Sequence, residues 1–184
     1  MDYKDIIELI LDENDFTVGG GSSSAIAGAF GCGLMGMVIN LSKGKDYGYS
    51  DEKYDELAAE LKELKAKFLQ GAVNDNEAYM LIVNAYKLPK ATDEEKTARK
   101  AAIQNAGIRA AEVPMSNAKL NKRLLEIGEG LLTNSNPACG TDLNAGVEFA
   151  KMGIKAGKEN VEVNLPLIKD EEVIARFKKD LESL

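Results

Sequence analysis

The stretch from Ser50 to Lys87 reads as one unbroken helix, and that alone leaves a helical bundle as the natural home for the chain. Its roughly 38 residues span about 57 Å at 1.5 Å per residue. In a chain of 184 residues a helix that long belongs to a bundle or to a dimer seam. An α-helix turns about 100° per residue. Counted from Phe68, the residues Tyr54, Leu57, Leu61, Leu64, Ala72, Tyr79, Ile82 and Tyr86 all fall within about 40° of one line, which makes a single apolar stripe. On this count Tyr79 and Tyr86 are expected in the core. Glu77 lies on the opposite face, where a charge belongs, but Asp75 lies inside the stripe at roughly −20°. A carboxylate in a core-facing stripe costs free energy unless it is paired, hydrated or used. Position alone leaves two readings open: a buried acid satisfied by neighbouring amides or an interhelical cation, or a working group.

The remaining segments supply partners for this helix. Tyr3 to Leu11 is a short amphipathic helix with Ile6, Ile7, Ile10 and Leu11 for burial. Phe16 to Ser42 carries no charge. Within it Gly19-Gly20-Gly21 is expected to form a flexible loop, with one of Ser22, Ser23 or Ser24 capping a helix over Ala25–Leu41. Gly28, Cys32 and Gly36 repeat a small residue every fourth position, a pattern also found in membrane helices. So many glycines and so few leucines make a poor span, and the better reading is a helix buried on all sides, whose small residues admit close neighbours. Thr92 and Glu95 form a capping box that opens the next helix, which Pro114 is expected to kink or end. A further helix over Ser116–Leu132 buries Leu120, Leu124, Ile127 and Leu131, and another runs from Cys139 to a stop at Gly157. Asn160–Ile168 is helical or irregular, since no other strand signal exists for it to pair with. Asp170–Leu184 is a terminal amphipathic helix. The expectation is an all-α fold over residues 1–184, one domain of seven or eight helices with a buried Gly/Ala-rich member.

Composition excludes several function classes. The net charge of −7 argues against a general nucleic-acid binder, because phosphate affinity comes from clustered Lys and Arg. There is no histidine, and the two cysteines, Cys32 and Cys139, have no metal-ligand spacing. They are expected to be buried packing residues in a reduced, cytoplasmic compartment, and no metal site is expected. The N-terminus Met1-Asp2-Tyr3-Lys4-Asp5 is acidic and lacks the form of a signal peptide. Without histidine any general acid or base is Asp, Glu, Lys, Tyr or Cys, and a Ser-His-Asp or Cys-His triad is excluded. The glycines do not follow a strand, and no Gly-Lys-Ser/Thr follows Gly19-Gly20-Gly21, so neither a Rossmann nor a P-loop motif is present. What remains is a helix N-terminus whose free N–H groups can hold a carboxylate or carbonyl.

Several segments taken together are more specific. Gly19-Gly20-Gly21-Ser22 is followed by a small-residue helix ending Met37-Val38-Ile39-Asn40-Leu41-Ser42-Lys43-Gly44-Lys45. Asp75-Asn76-Glu77-Ala78-Tyr79 comes next, then Leu88-Pro89-Lys90-Ala91-Thr92-Asp93-Glu94-Glu95-Lys96. Ala110-Ala111-Glu112-Val113-Pro114-Met115 and Asn160-Val161-Glu162-Val163-Asn164-Leu165, followed by Asp170, complete the series. In order and spacing over nearly the whole chain this resembles the folate cyclodeaminase/cyclohydrolase family: the C-terminal half of formiminotransferase-cyclodeaminase, also found alone as methenyltetrahydrofolate cyclohydrolase. Val18 stands where the family usually has proline, Ser23 and Ser24 stand where it has apolar residues, and Leu41-Ser42-Lys43-Gly44-Lys45-Asp46 replaces Leu-Thr-Val-Gly-Lys-Lys.

The resemblance implies a helical homodimer that holds folate in a cleft, with Asp75 as the acid/base residue and no metal or redox cofactor. It implies tetrahydrofolate one-carbon derivatives as substrates, in free or polyglutamylated form; the net charge and the make-up of residues 16–42 lead to the expectation of neither nucleic acid nor membrane as a partner. The reaction is either hydrolysis of the 5,10-methenyl bridge to 10-formyl-tetrahydrofolate or cyclisation of 5-formimino-tetrahydrofolate with loss of ammonia. A free-standing chain tilts the choice toward cyclohydrolase. Lys43 and Lys45 are candidates for the glutamate tail, against a plain role as solvated loop cations. Gly20, Gly21 and Ser22 are candidates to present N–H groups to the substrate, against a plain helix cap. Asp142 and Asn164 are candidates to read the pterin edge, against capping of their own helices. A non-catalytic helical scaffold is the competing class, and it has no reason to keep Asp75 in the core stripe.

Overall fold

The computed structural model describes residues 1–184 as six α-helices and two 3₁₀ turns, with no strand. The helices are α1 (Tyr3–Leu11), α2 (Gly20–Ser42), α3 (Asp51–Lys87), α4 (Asp93–Leu131), α5 (Gly140–Asn164) and α6 (Glu171–Glu182). The 3₁₀ turns, Pro137–Cys139 and Leu165–Leu167, flank α5. The main core is made by α2, α3, α4 and α5 with Ile6 of α1, and it centres on Met35, Ile39, Tyr54, Phe68, Leu124 and Leu131. The Tyr54 hydroxyl reaches out of this core to donate to the Asn134 carbonyl at 2.8 Å. A smaller cluster seats α6 on α4 and α5 through Ala111, Met115, Val161, Ile168, Phe177 and Leu181.

Local sequence accounts for the helix starts. Thr92 Oγ1 accepts the Glu95 N–H at 3.2 Å while Glu95 Oε2 accepts the Thr92 N–H at 3.1 Å, a complete capping box. Ser50 and Asp170 cap α3 and α6 in the same sense. The Gly/Ala-rich helix α2 is long and apolar enough to cross a membrane by length and composition, yet fourteen of its 23 residues are buried inside the bundle.

Six helices rather than seven or eight result because two expected breaks are absent. Pro114 lies inside α4, fully buried, and the helix continues through it. Gly157 lies inside α5 and is no stop. A Cβ there would come within 2.9 Å of Ala118 Cβ and 3.1 Å of the Pro114 carbonyl, so the glycine serves the close approach of α5 to α4. The triple glycine also differs from expectation. Gly19 is the N-cap of α2, and Gly20 and Gly21 are already helical. Tyr79 and Tyr86 stand in the stripe by angle but are 40 % and 49 % exposed, because in its last turns α3 packs on α4 through a different face, the one that buries Ala78 and Ala85.

Two buried asparagines on α4 fill the space that glycines leave on the helices around them. Asn117 lies against Gly71 of α3, and Asn121 lies against Gly28 of α2 and Gly153 of α5. Asn121 Nδ2 donates to the Ser24 carbonyl at 3.3 Å and to the Asn117 carbonyl at 3.0 Å. A Cβ on Gly28 would sit 2.5 Å from the Phe68 ring and 2.8 Å from Asn121 Oδ1. Phe68 is fully buried and has nowhere to turn. Overpacking of about 1–3 kcal/mol outweighs the helix-propensity gain of about 1 kcal/mol from replacing glycine. Gly28→Ala is therefore expected to lower the melting temperature by a few degrees, read by circular dichroism on heating.

Candidate active site

The first turn of α2, the middle of α3 and the last turns of α5 meet around a cavity of about 370 Å³. Gly19, Gly20 and Gly21 form one side, Asp75, Tyr79 and Ile82 another, and Asn160, Val163 and Asn164 a third. Ala110 of α4 and Leu167 of the 3₁₀ turn close it, with Phe16 and Thr17 of the loop before α2 at its rim.

Asp75 is the only carboxylate in the lining. Its Oδ2 accepts a hydrogen bond from Ser22 Oγ at 3.0 Å. Its Oδ1 lies 2.2 Å from the point where a Cβ on Gly21 would stand, so the carboxyl rests directly against the backbone of α2. No side chain caps α2, and its first intrahelical bond is Ser23 N–H to the Gly19 carbonyl at 3.0 Å. The N–H groups of Gly20, Gly21 and Ser22 thus lack intrahelical partners, and the positive end of the helix dipole faces the acid. Burial pushes the Asp75 pKa above the usual 3.8, while the Ser22 hydroxyl and N–H oppose that rise. Desolvation favours the neutral acid and the donors favour the anion, which leaves a carboxyl able both to accept and to donate a proton.

The amides opposite are oriented by their partners. Asn164 Nδ2 donates to the carbonyls of Asn160 at 2.8 Å and Ala110 at 3.1 Å, and Asn160 Nδ2 donates to the Ala156 carbonyl at 2.8 Å. Carbonyls only accept, so the NH₂ groups must face them, and both Oδ1 atoms remain free to accept. Ala110 is available because of Pro114. Proline four residues on has no N–H to return to that carbonyl, and Asn164 takes its place. The proline expected to kink or end the helix does not end it, and it frees the acceptor that fixes a cavity amide.

Of the residues singled out from sequence, Gly20, Gly21, Asp75 and Asn164 meet at the cavity. Ser22 is fully buried behind them and reaches Asp75 rather than open space. Lys43, Lys45 and Asp142 are elsewhere. Lys43 is the C-cap of α2, paired with Asp55, and lies about 33 Å along that helix from its first turn. Lys45 is exposed in the following loop. Asp142 is in the first turn of α5, about 27 Å along the axis from Asn160. Sequence reasoning passed over Asn160 and Tyr79 as site residues. The i,i+4 spacing of Asn160 and Asn164 puts both amides on one face and was the available signal. Cys32 is buried against α3, and burial pushes its thiol up to about 12, the behaviour of an inert packing residue. No three Cys, Asp or Glu side chains converge in a way that could hold a metal ion. A second groove of about 290 Å³ between α3 and α4 is edged by Lys67, Arg109 and Glu112, all exposed.

The profile of the family described as Formiminotransferase-cyclodeaminase matches residues 4–183. A methenyltetrahydrofolate cyclohydrolase of Methylorubrum extorquens is 35 % identical over 175 residues, covering 91 % of this chain and 81 % of that protein. A formimidoyltransferase-cyclodeaminase of Sus scrofa is 29 % identical over 167 residues, covering 90 % of this chain but 31 % of that longer protein. The crystal structure of a formiminotetrahydrofolate cyclodeaminase from Thermotoga maritima superimposes with a TM-score of 0.84 at 26 % identity, over 100 % of this chain and 87 % of that one.

Proposed function

The chain belongs to the formiminotransferase-cyclodeaminase family, and from that premise we propose that it is a folate one-carbon enzyme, a methenyltetrahydrofolate cyclohydrolase with Asp75 as its acid/base group. The observation that carries this reading is the single half-buried carboxyl of Asp75, set in one cavity with the N-terminus of α2 and the Asn160 and Asn164 amides of α5. The amidinium bridge of 5,10-methenyl-tetrahydrofolate is cationic, and a carboxylate beside it stabilises the charge. Asp75 takes a proton from water as the water oxygen bonds to the bridge carbon. It returns that proton to N5 as the carbon–N5 bond breaks, while the hydroxyl left on the carbon gives its own proton to solvent and becomes the formyl C=O that stays on N10. In this reading the Asn160 and Asn164 oxygens, which accept no hydrogen bond within the chain, take the N–H edge of the pterin. The chemistry asks for no metal or redox cofactor.

The second reading, cyclisation of 5-formimino-tetrahydrofolate with loss of ammonia, is supported by the relatives named as cyclodeaminases. The same carboxyl serves it, with the proton going to the departing nitrogen. We also propose a homodimer. Phe30, Met37 and Leu41 are exposed along one side of α2, an apolar stripe that a second copy would cover. Lys43 and Lys45 could meet a polyglutamyl tail only if a second chain brought them to the cavity, given their distance from it within one chain. The free buried cysteines fit a reducing cytoplasmic setting, and α2 packs as a core helix rather than as a membrane span.

Methenyl-tetrahydrofolate absorbs in the near ultraviolet, which gives a direct test. Purified protein is expected to speed the loss of that absorbance. Its appearance from 5-formimino-tetrahydrofolate would instead establish the cyclodeaminase, and silence with both substrates would sink the enzymatic reading in favour of a scaffold.

A further inference from the structure

Ser22 has one hydroxyl proton and two acceptors. Its Oγ is 3.0 Å from the Ala72 carbonyl oxygen and 3.0 Å from Asp75 Oδ2. A carbonyl only accepts, and so does an ionised carboxylate. The side chain is fully buried, so no solvent stands in for either partner. Ala72 lies in mid-helix, where its carbonyl keeps its place in the α3 ladder whichever way the hydroxyl turns. With Asp75 ionised, Ser22 donates to the carboxylate. With Asp75 protonated on Oδ2, the acid donates to Ser22 Oγ and the serine proton turns to the Ala72 carbonyl. Both states are fully hydrogen-bonded with the heavy atoms in place.

We propose that Ser22 is a positioning residue that acts as a proton-direction rotor. Its hydroxyl reverses as Asp75 gains and loses a proton, so that both forms of the acid/base group hold the same position against Gly21. This rests on the reading of Asp75 as the group that moves protons. It gives a reason for serine at this point in Gly19-Gly20-Gly21-Ser22. Alanine or glycine could not bond the acid, and lysine or arginine would hold it as a permanent anion. Asp75 and Tyr79, both from α3, are the only ionisable residues that line the cavity; the lining residues of α2, α4, α5 and the entrance loop carry none.

Ser22→Ala removes the donor without touching the cavity wall. A hydroxyl bonds an anion more strongly than it bonds a neutral acid, so losing it should move the Asp75 titration to higher pH. Carbon-13 NMR of aspartate-labelled protein reads that titration directly, with Asp75→Asn identifying the resonance. In Ser22→Ala the Asp75 carboxyl is expected to titrate at higher pH, with the acid limb of the kcat profile moving in step. Turnover is expected to fall about tenfold to a hundredfold, with KM little changed. Ser22→Cys, a weaker donor of similar shape, is expected to shift both readouts less and in the same direction. An Asp75 titration left in place by both variants overturns the rotor. Full turnover in Asp75→Asn overturns the acid/base reading instead, while the titration in Ser22→Ala still reports whether hydroxyl and carboxyl are coupled.

Discussion

Asp75→Asn is expected to keep the fold and lose most turnover, by about 10²–10⁴ as for other positioned acid/base groups. The loss should fall on kcat, because the amide preserves shape and a hydrogen bond but cannot take a proton from water. The fold has reason to tolerate the change. The NH₂ group of the new amide could donate to Ser22 Oγ while Ser22 turns to the Ala72 carbonyl, the arrangement that protonated Asp75 would use. Stability should rise at neutral pH. Burial holds the Asp75 pKa above its unfolded value of 3.8. Between that value and the folded pKa, the folded chain binds more protons than the unfolded one, so stability falls as pH rises through that window. Above the folded pKa the whole cost of the buried anion is present, and below 3.8 it is gone. The asparagine variant should therefore be more stable than the parent at neutral pH, by about 0.5–2 kcal/mol if it behaves like other relieved functional sites. That advantage should vanish in acid. Melting temperatures of the pair across the pH range, with initial rates on methenyl-tetrahydrofolate, check both halves. A variant that unfolds at neutral pH would make Asp75 structural.

The parts of this fold that sequence reveals are those set by helical period and local caps. The α3 stripe from Tyr54 to Ala72 is buried as counted, and the Thr92–Glu95 box opens α4 where its residues say it should. What the period could not show is that the covered face of α3 changes along its length. Tyr79 and Tyr86 keep the stripe's angle, but these turns of α3 pack on α4 through the face of Ala78 and Ala85, so a residue expected in the core lines the cavity instead. Pro114 and Gly157 misled for a related reason. Each is a breaker by its own backbone, and each is held inside a helix by a contact from another element: Asn164 on the Ala110 carbonyl, and Ala118 against the bare Cα of Gly157. Such compensation is tertiary and has no local signature. Asp75 was legible because it broke a pattern. Lys43, Lys45 and Asp142 were attractive as residue types, and only the helix lengths show how far from Asp75 they lie within one chain.

Gly21→Ala should be nearly as damaging to catalysis as loss of the carboxyl, while leaving the protein folded. The added Cβ would lie 2.2 Å from Oδ1, 2.5 Å from Oδ2 and 2.6 Å from Cγ of Asp75. Something must move, and the backbone of α2 is the stiffer partner, since Ser22, Ser24 and Ala25 beside it are completely buried. Asp75 is attached through two rotatable bonds and borders open cavity, so the carboxyl swings away from α2. It then loses the Ser22 hydroxyl and the helix N-terminus, and with them the position that the proposed mechanism requires of it. A displacement of about 1 Å is enough for roughly a hundredfold loss in rate. The helix itself should not suffer, because alanine is the better helix former by about 1 kcal/mol. Gly140→Ala is the control: it stands at the start of α5, about 30 Å along the axis from Asn160, and its added Cβ would meet nothing within 4 Å. That change should leave the rate close to the parent's, and any shift in melting temperature should be upward, since alanine is the better helix former. If Gly21 acts only by seating Asp75, the double variant Gly21→Ala/Asp75→Asn should turn over no more slowly than Asp75→Asn alone, since the second change removes the group the first displaces. Fully additive losses in that cycle would mean that the methyl blocks the substrate instead, and Gly21 would then be a wall of the cavity rather than the seat of its carboxylate.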